Sequence, residues 1–220
     1  MHTTDSFTSI HRLDLVHITP NPEQLIAYMA RVSNPANQNN TETSSKLIGY
    51  LIKNKHWSPF EMVNMCVQIS TTRSIASQII RHRSFSFQEF SQRYAQVTDR
   101  PVVPPIRRQD TSNRQNSIDD MNEFTVQEFQ LRANQLYDMS IHLYTDMLTA
   151  GVAKECAREV LPLSSPTTIY MNGSIRSWLH YIDLRTSNGT QLEHKLIAQQ
   201  AQALIKQHTP AIYNAMWNND

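Results

Sequence analysis

The stretch VNMCVQISTTRSIASQIIRHR, Val63 to Arg83, decides the fold class. Val63, Met65, Val67 and Ile69 alternate with Asn64, Cys66, Gln68 and Ser70, a period of two that reads as a strand with one buried face. Thr71 or Thr72 then caps a helix through Ile75, Ile79 and Ile80, and that helix delivers Arg81, His82 and Arg83. A strand that runs straight into a helix points to a chain in which both element types share one core.

The flanking sequence extends this pattern. Asn21 caps a helix that opens at Pro22 and runs to about Val32, and Leu47, Ile48, Leu51 and Ile52 lie at helical spacing on a second. His56 to Glu61, HWSPFE, breaks it. Between Val97 and Asn116, Pro101, Pro104 and Pro105 alternate with Arg100, Arg107, Arg108 and Arg114, a long loop that is either a lid or disordered. A long helical stretch covers Ser117 to Ala150, a shorter one Lys154 to Val160, and Thr167 to Met171 form a second strand. The next helix carries Ile175, Trp178, Leu179 and Ile182 inward, and the last opens at Thr190 with capping-box spacing to Glu193. Helices with a few strands predict a mixed α/β (α+β) fold, several helices around a small sheet, with residues 1–220 as a single domain.

Composition removes several classes. No run of about 18 apolar residues exists to span a membrane, and MHTTDSFTSIHRLDL has no apolar signal core. Cys66 and Cys156 are too few for a disulfide framework, which gives a cytoplasmic expectation. The nine histidines are scattered without H-x-x-x-H, and there is no C-x-x-C, so no metal is expected. None of the four glycines lies in a phosphate-cradling G-x-G-x-x-G or P-loop pattern. If the chain binds a nucleotide, arginine side chains and helix N-termini must hold the phosphates. The 14 arginines against 6 lysines, at a net charge of only +1, fit such fixed recognition better than a generally basic surface.

The densest chemistry is RHRSFSFQEFS, residues 81–91, continuing QRY. Arg81, His82, Arg83, Glu89, Ser91 and Arg93 gather cations, a carboxylate and a hydroxyl, interleaved with Phe85, Phe87, Phe90 and Tyr94. Guanidinium forks pair phosphate oxygens and stay charged at working pH. Gln78, Arg81 and His82 are spaced three and four apart, on one helix face. The Gln78 amide can pair both edges of a uracil-like imide. Each group also has a plain reading: Gln78 as a surface residue, His82 as a hydrogen-bonded core histidine, Arg158 as the partner of Glu155, and Arg185 as a cation at a helix C-terminus. Cys66, in mid-strand, and Cys156 read as small buried residues.

Arg81-His82-Arg83, seven residues and Ser91 together resemble the signature of the flavin-dependent thymidylate synthases. ARVSN before Pro35, HWSPFE, AREVLP around Arg158, SIRSWLHYIDLR from Ser174 to Arg185 and NGTQLEH after it resemble that family in order and spacing, over roughly Tyr28 to His194. The resemblance implies reductive methylation of dUMP to dTMP. Methylenetetrahydrofolate would be the carbon donor, with NADPH reducing a bound FAD. It assigns Arg81, His82 and Arg83 to FAD, with Arg81 shared with dUMP. Ser58, Ser174, Ile175, Arg176 and His180 would line the flavin site, with His56 and Glu61 beside flavin and folate. Gln78, Phe90, Ser91, Gln92, Arg93 and Arg158 would hold dUMP, Arg93 and Arg158 toward its phosphate, and Glu89 would sit between the two ligands. Arg185 would activate the pyrimidine, with Ser91 either catalytic or orienting dUMP, and no cysteine nucleophile is needed. Ser174 and His180 stand where many members have Asn. The resemblance also implies a homotetramer with shared sites, and neither nucleic acid nor membrane as a partner. The rival from another class is a single-stranded nucleic-acid binder that stacks bases on the aromatics; the near-zero net charge and the sharp clustering of arginines oppose it.

Overall fold

A computed structural model describes residues 10–218. Nine of the fifteen residues read for a signal core, MHTTDSFTS, lie outside the described ones. Strands β1 (Arg12–Ile18), β2 (Asn64–Thr72), β3 (Ser86–Glu89) and β6 (Pro166–Ser174) form one antiparallel sheet in the order β1-β2-β6-β3. Strands β4 (Arg108–Gln109) and β5 (Ser117–Ile118) pair separately. The helices are α1 (Pro22–Ala30), α2 (Ser44–Lys53), α3 (Arg73–Ile79), α4 (Glu123–Thr149), α5 (Lys154–Ala157), α6 (Ile175–Thr186), α7 (Leu192–His208) and α8 (Pro210–Trp217). This is the mixed α/β arrangement that the sequence predicts, and none of these helices is long and apolar enough to cross a membrane.

The alternation in β2 does what its chemistry demands. Met65, Val67 and Ile69 are fully buried and face Gly173, Met171 and Ile169 across the β2–β6 ladder. On this face α6 and α7 complete the core with Ile175, Trp178, Leu179, Ile182, Ile197, Ala201 and Ile205. The Trp178 indole donates to the Met65 carbonyl at 2.9 Å, so the largest core residue fixes α6 to the sheet without an unpaired N–H. Gly173 is required by packing: a Cβ there would lie 2.4 Å from the Phe85 ring. The opposite face carries Cys66, Gln68, Ser70, Tyr170 and Asn172, polar and only partly covered.

Several local expectations need correction. β1 was not foreseen; a bulge between Leu15 and His17 breaks its alternation and its residues are mostly half-exposed. Asn21 has a left-handed backbone (φ 49°) and its side chain makes no cap bond, so Pro22 opens α1 without it. No side chain caps α7 either, because Glu193 turns inward to Arg107 instead of closing a capping box. Residues 117–118 belong to β5, and α4 starts later, where the Asn122 carboxamide accepts from the N–H groups of Phe124 and Thr125. α3 ends at Ile79, so Arg81, His82 and Arg83 lie in the turn to β3 and share no helix face with Gln78. The 97–116 loop is neither free nor featureless. Arg100 donates to Asp138 and Asn134, Arg108 to Asp120, and Arg107 forms an ion pair with Glu193 in which the side chains are only 10% and 2% exposed.

Candidate active site

The sequence-predicted residues fall into three groups. The first surrounds a cleft of about 800 Å³ where β6 passes into α6. Ser174 caps α6, its Oγ accepting from the Ser177 N–H, and one and six residues on, Ile175 and His180 take different fates. Ile175 is buried in the core and gives its N–H to the Val63 carbonyl, whereas His180 and Arg176 line the cleft. Arg176 donates to Glu61, which the 3-10 turn Ser58–Met62 projects from the opposite wall. Trp57, Asn172, Ser177, Asp183 and Met216 also line it and were not singled out in the sequence. His56 and Ser58 are exposed on the segment that carries Trp57 and Glu61, and they do not line the cleft.

The donor set suits a flavin dinucleotide. The volume lies within the range of cofactor sites, Arg176, His180 and the hydroxyls of Ser84, Ser86, Ser174 and Ser177 suit phosphate and ring oxygens, and Asn172 Oδ1 is buried without a hydrogen-bond partner among the described residues. Gly173 also contributes to the wall, although the space a Cβ would take there is filled by Phe85. Arg81 and Arg83 are exposed on the turn just before the cleft residues Ser84 and Ser86.

The second group centres on Arg185. Its Nε–H donates to His82 Nε2 at 2.9 Å. That bond requires an unprotonated acceptor, and His82 is held so: burial, then the charges of Arg185 and His180, push it down to about 4. His82 thus makes the hydrogen bond of its plain reading, with Arg185 as the partner. With Nε occupied, the two terminal amino groups of Arg185 form an oriented cationic fork. Gln78 lies nearby in sequence order on α3, and its Nε2 donates to Gln191 Oε1 at 2.7 Å.

The third group lies at the other end of β3. Glu89 accepts from Arg73 at 2.9 Å and from the Thr167 hydroxyl at 3.1 Å, both through Oε1. Arg73 went unnoticed in the sequence, although it begins the helix that precedes the signature. Gln92 is buried, Ser91 half-buried and Phe90 exposed. Arg93 stands 3.3 Å from Glu155, and Arg158 is 3.3 Å from Glu159, not paired with Glu155. The two arginines are thus attached to one short stretch of α5 and the turn after it, and among the described residues the buried Arg158 Nε has no hydrogen-bond partner. Ser86 and Glu89 are three residues apart, roughly 10 Å along the strand and on opposite faces. The third group therefore does not converge on the cleft within one chain.

Cys66 cannot easily serve as a nucleophile, since burial pushes its thiol pKa up. Cys156 is exposed on α5.

Comparison with known proteins covers most of the chain. Residues 14–211 match the family model described as thymidylate synthase complementing protein. The chain is 52% identical over 194 residues, 88% of it and 90% of the relative, to a probable flavin-dependent thymidylate synthase of Paramecium bursaria Chlorella virus 1. It is 49% identical, over 89% of each chain, to a flavin-dependent thymidylate synthase of Synechocystis sp.. The fold superposes on a UMP/dUMP methylase PolB from Streptomyces cacaoi bound with 5-Br dUMP, with a TM-score of 0.82, 26% identity and 93% of each chain covered.

Proposed function

The chain belongs to the thymidylate synthase complementing protein family, the flavin-dependent thymidylate synthases, and we propose that it builds its active site between copies of itself. It methylates dUMP to dTMP with FAD as cofactor and methylenetetrahydrofolate and NADPH as co-substrates. Bound in the cleft, FAD supplies the hydride.

Arg176, His180, Ser174, Arg81 and Arg83 hold the cofactor in this reading. Arg93 and Arg158 take the dUMP phosphate, Ser91 and Gln92 orient the nucleotide, and Glu89, steadied by Arg73 and Thr167, lies between the ligands. The observation that carries the reading is the Arg185–His82 bond. A fork whose Nε is already committed presents its two terminal amino groups as donors, which can stabilise negative charge as it develops on the pyrimidine N3/O4 edge. Activation through the ring edge needs no thiolate, in keeping with the raised pKa of Cys66.

Two observations support a shared site in a homotetramer. The cleft and the Glu89–Arg158 group diverge in one chain, and α4 exposes Phe124, Phe129, Leu131, Leu136, Met139 and Leu143, far more apolar surface than a lone helix keeps in water. A cytoplasmic location is part of the proposal and rests on free Cys66 and Cys156. Arg185→Ala tests the chemistry. It should lower dTMP formation about 10²–10³-fold, the effect of removing one oriented donor, while the yellow flavin stays bound. Normal turnover in that variant would refute the role given to Arg185.

A further inference from the structure

Three elements meet behind Arg185. Tyr181 precedes it by four residues on α6 and so lies on the same helix face. His82 comes from the turn after α3, and His194 is the third residue of α7. The Tyr181 and His82 rings stand nearly perpendicular, 4.9 Å apart, and His194 lies 6.1 Å from His82. Tyr181 and His194 are both fully buried, and the Tyr181 hydroxyl shares a hydrogen bond of 3.1 Å with His194 Nε2. His194 Nδ1 is buried with no hydrogen-bond partner among the described residues. A nitrogen in that state destabilises a fold, and an apolar residue in the same space would avoid the penalty. Stability alone does not account for a histidine here.

Resting on the reading of Arg185 as the activating group, we infer that His194 is a positioning residue: by holding the Tyr181 hydroxyl it sets the ring against which His82 stands, and so the aim of the Arg185 fork. The chain of contacts is short and has no slack. His194 ties α7 to α6 through Tyr181, the Tyr181 ring bears on His82, and His82 Nε2 receives the Arg185 Nε–H. Without the hydroxyl bond the Tyr181 ring keeps its packing against Trp178 and Phe85 but loses the anchor at its hydroxyl end. His82 then tilts with it, and the acceptor moves away from Arg185. A displacement of about 1 Å at a reacting group can lower a rate about a hundredfold.

The test uses the FAD-loaded enzyme in three variants: His194→Leu, His194→Gln and Tyr181→Phe. The glutamine amide reaches the place of Nε2 and can bond the hydroxyl. His194→Leu and Tyr181→Phe should each lower kcat tenfold or more with FAD content unchanged, and adding dUMP should change the flavin absorbance in wild type and less so in either variant. His194→Gln should restore both readouts. A His194→Leu or Tyr181→Phe enzyme that keeps the wild-type kcat overturns the inference, as does a raised KM for dUMP at unchanged kcat or a His194→Gln enzyme as slow as the leucine variant. If His194→Leu does not fold, Tyr181→Phe, which keeps the ring, decides alone. A wild type that binds FAD but forms no dTMP refutes the synthase reading itself, and the inference with it.

Discussion

Adding one methyl group at Gly173 should loosen both the core and the cleft. A Cβ at this position in β6 would lie 2.4 Å from Phe85 Cδ1 and 2.7 Å from Cε1. Carbon atoms pack best at about 3.5–4.0 Å, so ring or strand must yield by roughly 1 Å. The ring has little freedom to yield: Trp178 stands 4.9 Å from it, Tyr181 5.9 Å and Phe87 6.2 Å, centroid to centroid, and Phe85 is 9% exposed. Overpacking of this kind costs about 1–3 kcal/mol. At about 2–4 °C per kcal/mol for a chain of this size, Gly173→Ala should melt roughly 2–12 °C below wild type. Because Phe85 follows the Arg81–Arg83 turn and Gly173 lines the cleft, the variant should also retain less flavin. Calorimetry on flavin-stripped protein separates the two effects, and Gly173→Ala/Phe85→Leu, which vacates the space, should recover part of the stability. A Gly173→Ala protein that melts with wild type would refute the packing argument.

Two further outcomes concern charge. Glu193→Ala leaves the buried Arg107 guanidinium unpaired and should lose about 3–5 kcal/mol in urea unfolding, whereas Arg107→Met/Glu193→Leu should be neutral or more stable; equal losses in both would show that the pair matters for its shape alone. His82 and His194 are depressed to about 4 and about 3, the first causes being burial and then the Arg185 charge. The unfolded chain therefore takes up protons first as pH falls below the ordinary 6.5, and the stability present above that value is lost progressively toward pH 4 and then 3. Urea midpoints measured across this range should fall with pH, less steeply in His194→Gln; a flat profile would contradict the burial of neutral imidazoles.

The sequence was most legible where one period ran unbroken. The alternation from Val63 to Ser70 marked β2, and Ile175, Trp178, Leu179 and Ile182 marked the inner face of α6 correctly, because burial there is one-sided. β1 was hidden by its bulge and its half-exposed edge position, where pairing with β2 compensates for a weak pattern. Glu193 matched a capping box in spacing, but Arg107, 86 residues away, offered a stronger partner than a local N–H. Long-range pairing of this kind leaves no periodic trace. The same holds for the site: the signature and the arginines could be named one by one, while the contact of Arg185 with His82, 103 residues apart, arises only when α6 packs beside the turn after α3. Tyr181 and His194, aromatic and polar on otherwise ordinary helices, gave no signal separable from core packing.

If copies of the chain complete one another's sites, mixing two crippled variants restores activity. Arg185→Ala and Arg158→Ala homo-oligomers, each inactive in dTMP formation, are unfolded together, refolded as a mixture and assayed. If the Arg185 fork and the Arg158 phosphate site come from different copies, random assortment restores intact sites and about a quarter of wild-type activity returns. If both arginines serve from the same chain, every site carries one lesion or the other, and the mixture stays as inactive as its components.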